Sequence, residues 1–382
     1  MKYRYKVFLY FLFFIPGLLL SRTLLDFHGV EVPDQDTSFY SFEFTLSGNE
    51  SRMVFNFDGE LEAGEISVWL GGGGYEVIGN YTDQDTFGYK NVIFGPLNNS
   101  EPITVNVHTT KAVGEWSIQL TESSSTGILL SLLVSGILII TICLVLLIKW
   151  KVKSTESFIY PLIGAAAWLI SIIIKFLFAY WLNDPILGFI KSSFGQTGYL
   201  SFGSIYIGAL TGIFEIGIAL IFVLFIKKIY ENAERGIGFG LGAGTIEAML
   251  IGFSQVGALI MVISRSPGSS DVLAGYGTIA GNTPLLFLVA PVERIIAILC
   301  HTSSRALVVL AVTRRKQIYF WIGFLIMTGI DAIAGYVHLA GYVNTISTWW
   351  IELVLLPFAL LSIFIIKWYY RNWPKDSINS LP

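Results

Sequence analysis

The pattern of apolar and polar positions changes along the chain. Residues 23–123 alternate apolar with polar: FYSFEFTL, SRMVFNF, GEISVWL, YEVIGNY, ITVNVH and GEWSIQL. A period of two sends successive side chains to opposite faces of a strand, and the intervening GGGG, DQDTFG and PLNNSE are turn material. This stretch is expected to fold as an all-β, sandwich-like domain. The alternation then gives way to seven apolar runs, near 127–148, 158–182, 207–226, 236–264, 285–312, 318–340 and 346–366. Each is about long enough to cross a ~30 Å hydrocarbon core. The expected fold class is a multi-pass α-helical membrane bundle of about seven spans over residues 127–370, with a short tail at 371–382. An apolar run to Leu20, preceded by Lys2, Arg4 and Lys6, reads as a signal peptide or signal anchor over residues 1–22.

Composition agrees. Hydrophobic residues make up 54% of the 382 positions and charged residues only 13%, against about 25% charged in a soluble domain. The net charge of −3 conceals an asymmetry: Asp26 to Glu122 holds 16 acids and three bases, Arg52, Lys90 and Lys111. The other bases cluster after the first, third, fifth and seventh apolar runs, as KWKVK, Lys227 with Lys228, Arg314 to Lys316, and Lys367 with RNWPK. The positive-inside rule then puts the β-domain on the exterior of the cell membrane and the C-terminus in the cytoplasm. Sequons at Asn49, Asn80 and Asn98 fit a glycosylated exterior domain. The basic loops need no nucleic acid to explain them. Cys143 and Cys300 fall inside apolar runs, so no disulfide framework or zinc ribbon is expected. Asp34, Asp36, Asp83 and Asp85 lack the EF-hand pattern and read as a solvated acidic surface.

The apolar runs are not clean. A charge at the bilayer centre costs roughly 2.5–3.5 kcal/mol on insertion scales, so such residues face the bundle interior, pair, or do chemistry. Counted from the basic ends at ~1.5 Å per residue, Glu215, Glu247, His301 and Asp331 share a height of ~16–20 Å. Lys175, Glu293, Arg294, His338 and Glu352 form a second layer nearer the exterior. Arg294, His301 and Arg305 repeat at spacings of seven and four, so one helix face lines a polar interior. Arg305 has the length to snorkel toward the cytoplasm. The run GIGFGLGAGTIEAMLIG lets neighbouring helices, or a substrate, approach Glu247. No strand precedes it, so its partial match to G-x-G-x-x-G carries no dinucleotide site.

A carboxylate in apolar surroundings can act as a general base near neutral pH. Glu247 is placed to take a proton from water, His301 to hold that water or an oxyanion, and Asp331 to orient the histidine. The same Glu, His and Asp set offers zinc ligands, but H-E-x-x-H is absent and no cofactor is expected unless zinc binds there. G-x-S-x-G and P-loop motifs are absent too. Ser303 and Ser304 read as helix hydroxyls bonded to backbone carbonyls.

The motif GxGAGTIEAM around Glu247, then ERIIAILCH with Ser304, then an aspartate in the next span, resembles the YhfC-type intramembrane peptidases. These are similar to the CAAX-prenyl-protease-like and PrsW proteases, a glutamate-dependent superfamily. The likeness covers residues 130–370 and not the β-domain. It implies that Glu247 is the base and that Glu293, Arg294 and His301 are site residues. Glu215, Arg305 and Ser304 are expected beside them as binding residues. The family often has a histidine where this chain has Ala243, and H-x-x-x-D where this chain reads MTGID with Met327. His338 lies ~10 Å higher than Asp331 and is a poor substitute. The superfamily also includes the non-catalytic scaffold subunit of gamma-secretase.

Three functions are open at this point. An intramembrane glutamic-type protease would cleave a membrane-embedded protein or peptide. A catalytically degenerate scaffold or receptor would hold a transmembrane client in the bundle and an exterior partner on the β-domain. A transporter ranks last, because no paired broken helices occur in matching halves.

Overall fold

The computed structural model describes residues 21–31, 37–44, 51–72, 75–82, 86–94, 103–264, 266 and 269–374. The run to Leu20, the sequon residues Asn49 and Asn98, and Asp34, Asp36, Asp83 and Asp85 lie outside these residues. The chain divides into two units, Met1–Leu133 with Gly257–Leu286, and Val134–Val256 with Phe287–Pro382.

In the first unit the alternating segments form six antiparallel strands, β1 (Ser21–Glu31), β2 (Thr37–Phe44), β3 (Ser51–Gly72), β4 (Tyr75–Thr82), β5 (Thr86–Phe94) and β6 (Ile103–Ser124). They make one continuous sheet rather than two separate ones. The 22-residue strands β3 and β6 pair along their whole lengths, with register shifts around Ala63. Gly64 at φ 86° and Gly114 at φ 147° adopt backbone that only glycine holds comfortably. The far halves of β6 pair with β1 and β2 respectively, yet Phe27 of β1 stacks 5.5 Å from Tyr40 and 5.3 Å from Phe42 of β2. The sheet therefore folds over on itself around Trp116, Phe57 and Ile118, all buried. A helix that the hydropathy pattern missed, Ser269–Asn282, packs against β1, β5 and β6.

The second unit is helical. In chain order the helices are α1 (Ser125–Ser154), α2 (Ile159–Thr211), α3 (Gly217–Phe225), α4 (Ala233–Ile263), α5 (the Ser269–Asn282 helix of the first unit), α6 (Leu286–Arg314), α7 (Gln317–Leu339), α8 (Tyr342–Thr345) and α9 (Thr348–Arg371). Among the described residues six helical runs are long and apolar enough to cross a membrane. One of them, Ile159–Phe225, joins the second and third apolar runs through residues expected to be a loop. Residues 183–206 fall between the two apolar runs, but a helix bonds its own backbone whatever its side chains. The run breaks once, at Gly195, where φ is 65°. It widens into a π-helical turn at Gly212–Ile216.

Close helix contacts follow from the glycines. On α4, a Cβ at Gly242 would lie 1.9 Å from the carbonyl oxygen of Pro161, and one at Gly164 would lie 1.8 Å from that of Phe239, so α2 and α4 touch backbone to backbone. The next face of α4 meets α6: a Cβ at Gly244 would lie 3.0 Å from the Cβ of His301, and one at Gly240 would lie 2.7 Å from the carbonyl oxygen of Thr302. Gly242→Ala is expected to push α2 and α4 apart and destabilise the bundle by about 1–3 kcal/mol, the usual cost of overpacking. Thermal unfolding in micelles measures this, and an unchanged midpoint would contradict so close an approach.

Candidate functional site

The approach of α4 to α6 creates the site. Glu247 lies three residues beyond Gly244, on the same helix face. Its Oε2 is 2.8 Å from His301 Nε2. One turn further along α6, Arg305 places NH1 2.8 Å from His301 Nδ1. Two turns the other way, Arg294 NH1 donates to Glu247 Oε1 at 2.7 Å, and its NH2 bonds Glu293. The stripe read from spacings of seven and four is thus one connected line of side chains.

Glu215 enters from the π-helical turn. Such wide turns are uncommon and recur at functional sites. Its Oε2 accepts from Arg305 NH2 at 3.1 Å and lies 3.8 Å from His301 Nδ1. Its Oε1 accepts from Lys175 Nζ at 2.8 Å. Lys175 also donates to Thr211 at 3.2 Å and faces Asp331 at 3.8 Å. Thr211 donates to Asp331. Four carboxylates, Glu215, Glu247, Glu293 and Asp331, alternate with Lys175, Arg294 and Arg305 around one imidazole. In apolar surroundings such pairs interact far more strongly than in water.

Several sequence expectations need correction. Lys175 belongs to this layer and not to a second one, because its long side chain reaches Glu215 and faces Asp331. Arg294 bridges the two expected layers with its long side chain. Arg305 does not snorkel: it is 1% exposed and held by His301 and Glu215. Asp331 does not orient His301. It bonds Thr211 instead, since Gly208 of α2 and Gly212 of the π-helical turn lie directly on Thr328 of α7 and bring that short carboxylate within reach. His301 is oriented by Arg305 and Glu247. Ser304 is buried and gives its hydroxyl to the His301 carbonyl at 3.2 Å. Glu352 on α9 is buried, with Oε2 unpartnered among the described residues; His338 is exposed. Ala243 and Met327, where the family pattern often has histidine, are buried core residues. Thr211 is the residue missed, and no charge or spacing in the sequence marks it.

No cofactor was expected except zinc, and the donor set suits a metal ion. Ligand atoms of Glu215, Glu247 and His301 all lie within 4.8 Å of one another. One imidazole and two carboxylates are ligands that zinc and other first-row divalent ions accept. These three residues could therefore hold one such ion.

The chain matches a family model described as YhfC intramembrane metalloprotease over residues 136–355. That range includes every charged group of the network, from Lys175 to Asp331. The description specifies metal-dependent hydrolysis, a different type from the glutamic mechanism expected above. No curated protein matches the chain. With well over half of its 382 residues covered, the chain belongs to the YhfC intramembrane metalloprotease family.

Proposed function

We propose that this protein hydrolyses a peptide bond of a membrane-embedded protein or peptide, using the network between α4 and α6 as its active centre. The observation that carries this reading is the 2.8 Å contact of Glu247 Oε2 with His301 Nε2 inside an apolar bundle. Of the three candidate ligands Glu247 is the most exposed, at 21% against 4% for His301 and Glu215. It serves as general base and accepts the proton of the attacking water. The N–H of His301 fixes the carboxylate and holds it toward the water. Arg294 donates to the same carboxylate, and the three cations supply positive potential for the oxyanion of the tetrahedral intermediate. Glu215, Glu247 and His301 would hold a divalent ion if one is bound, and such an ion would polarise a water or a carbonyl. The glutamic-type alternative uses the same Glu247 and His301 without it.

The membrane arrangement is part of the proposal. A helical run of 67 residues is ~100 Å long, over three times the hydrocarbon core. It crosses twice, turning at Gly195, so the chain makes seven passes. The basic clusters then face the cytoplasm and the β-domain lies outside. A signal segment at 1–22 and glycosylation of the β-domain belong to the same reading, and the β-domain is free to take an exterior partner.

Comparing membrane peptides from cells with wild type and with Glu247→Gln tests the function. New termini within or beside apolar helices of client proteins should be present only with wild type. A second reading, a substrate-holding scaffold without activity, is favoured by one observation, the buried Ala243 and Met327 in place of histidines. Identical termini in both strains, with a client retained by both proteins, would select it.

A further inference from the structure

Every carboxylate oxygen of the candidate ligands already accepts one hydrogen bond. Glu215 gives one oxygen to Lys175 and the other to Arg305. Glu247 gives one to Arg294 and the other to His301. The decisive contact is on the imidazole. A guanidinium carries only donors, so His301 Nδ1 accepts from Arg305 NH1 at 2.8 Å. The proton of the neutral ring then sits on Nε2, pointing at Glu247. A metal-binding histidine has the opposite pattern, with one lone pair on the ion and the other nitrogen donating to an acceptor. While Arg305 is in place, neither nitrogen can ligate.

Charge leads to the same result. Four carboxylates face three fixed cations, one of them Arg305. Without Arg305 the excess is two negative charges, which one divalent ion cancels. With it, the same ion leaves a positive excess in an apolar interior. Arg305 is itself fully buried and bridges Glu215 and His301, two of the three candidate ligands.

We propose that Arg305 sets the metal affinity of this centre: its guanidinium is the resident cation, and a divalent metal binds His301 and Glu215 only as Arg305 withdraws. The inference rests on these residues being the metal-holding group named above, but its readout does not depend on hydrolysis. Full-length protein in micelles, stripped with chelator, is titrated with Zn²⁺ and bound metal is counted after equilibrium dialysis. Arg305→Gln is expected to bind one zinc at least tenfold more tightly than wild type, and adding His301→Ala should abolish the gain. Equal or weaker binding by Arg305→Gln, or a gain that survives His301→Ala, would overturn the proposal. If the glutamine variant fails to fold, Arg305→Lys carries the comparison. It keeps the charge but not the paired N–H groups, and should bind zinc more tightly than wild type by a smaller factor; equal or weaker binding would again overturn it. A gain of zinc by Arg305→Gln beside a wild type that cleaves nothing would keep this inference and refute the hydrolase. Cleavage by a protein whose zinc affinity ignores Arg305 would do the reverse.

Discussion

Glu247→Gln should lower the rate of peptide-bond cleavage by at least ~10²-fold, the usual contribution of a positioned general base, while the bundle stays assembled. Glutamine keeps the volume and reach of glutamate. Its carbonyl still accepts one of the two bonds now made by Arg294 and His301, and Arg294 keeps Glu293. What disappears is the anion that takes the proton of water. Initial rates on a helical substrate, measured beside thermal unfolding of the same preparation, separate the two effects. Undiminished cleavage by the variant would remove Glu247 from the mechanism. A collapse of the unfolding midpoint would instead make it a structural charge.

Glu215→Ala should produce the largest loss of stability, about 3–5 kcal/mol, the range for breaking a buried pair by deleting one partner. Glu215 is 4% exposed and Arg305 1%, so water can do little to replace the lost carboxylate. Lys175 loses its nearest carboxylate as well, and keeps Asp331 only at 3.8 Å. Combining Glu215→Ala with Arg305→Met should recover part of the loss, because the stranded cation goes with its partner. Denaturant unfolding in micelles of both single variants and the double variant closes the cycle. A Glu215→Ala loss below about 1 kcal/mol would mean that the network is wet or rearranges freely, against the closed geometry described.

Much of this site was legible as spacing. Positions 294, 301 and 305 define one face of one helix, and a common depth picked out Glu215, Glu247, His301 and Asp331 from four separate runs. Both properties are linear in the chain, because a helix has a fixed rise and turn. Lateral reach is not linear. Nothing in the spacing tells that Arg294 extends to Glu247, that Arg305 caps the ring of His301, or that Asp331 is drawn to Thr211 by Gly208 and Gly212. The loop expected over 183–206 failed for a related reason: these residues fall between two apolar runs, but the backbone needed only itself to stay helical. The β-domain was readable strand by strand, whereas the folding over of one sheet depends on β3 and β6 each running for 22 residues, which broken alternation disguises.

The π-helical turn at Gly212–Ile216 has a consequence for how this chain can vary in length. Gly208 just before it and Gly212 at its first position lie on Thr328 of α7; Glu215, near its end, points to His301 and Arg305 of α6. The wide turn acts as a phase shifter between two helical segments with different neighbours. Deleting one residue there would keep the helix, its hydropathy and every charged group, yet rotate one segment by ~100° against the other. At this point the number of residues, independent of their identity, decides whether the carboxylate of Glu215 meets its cations.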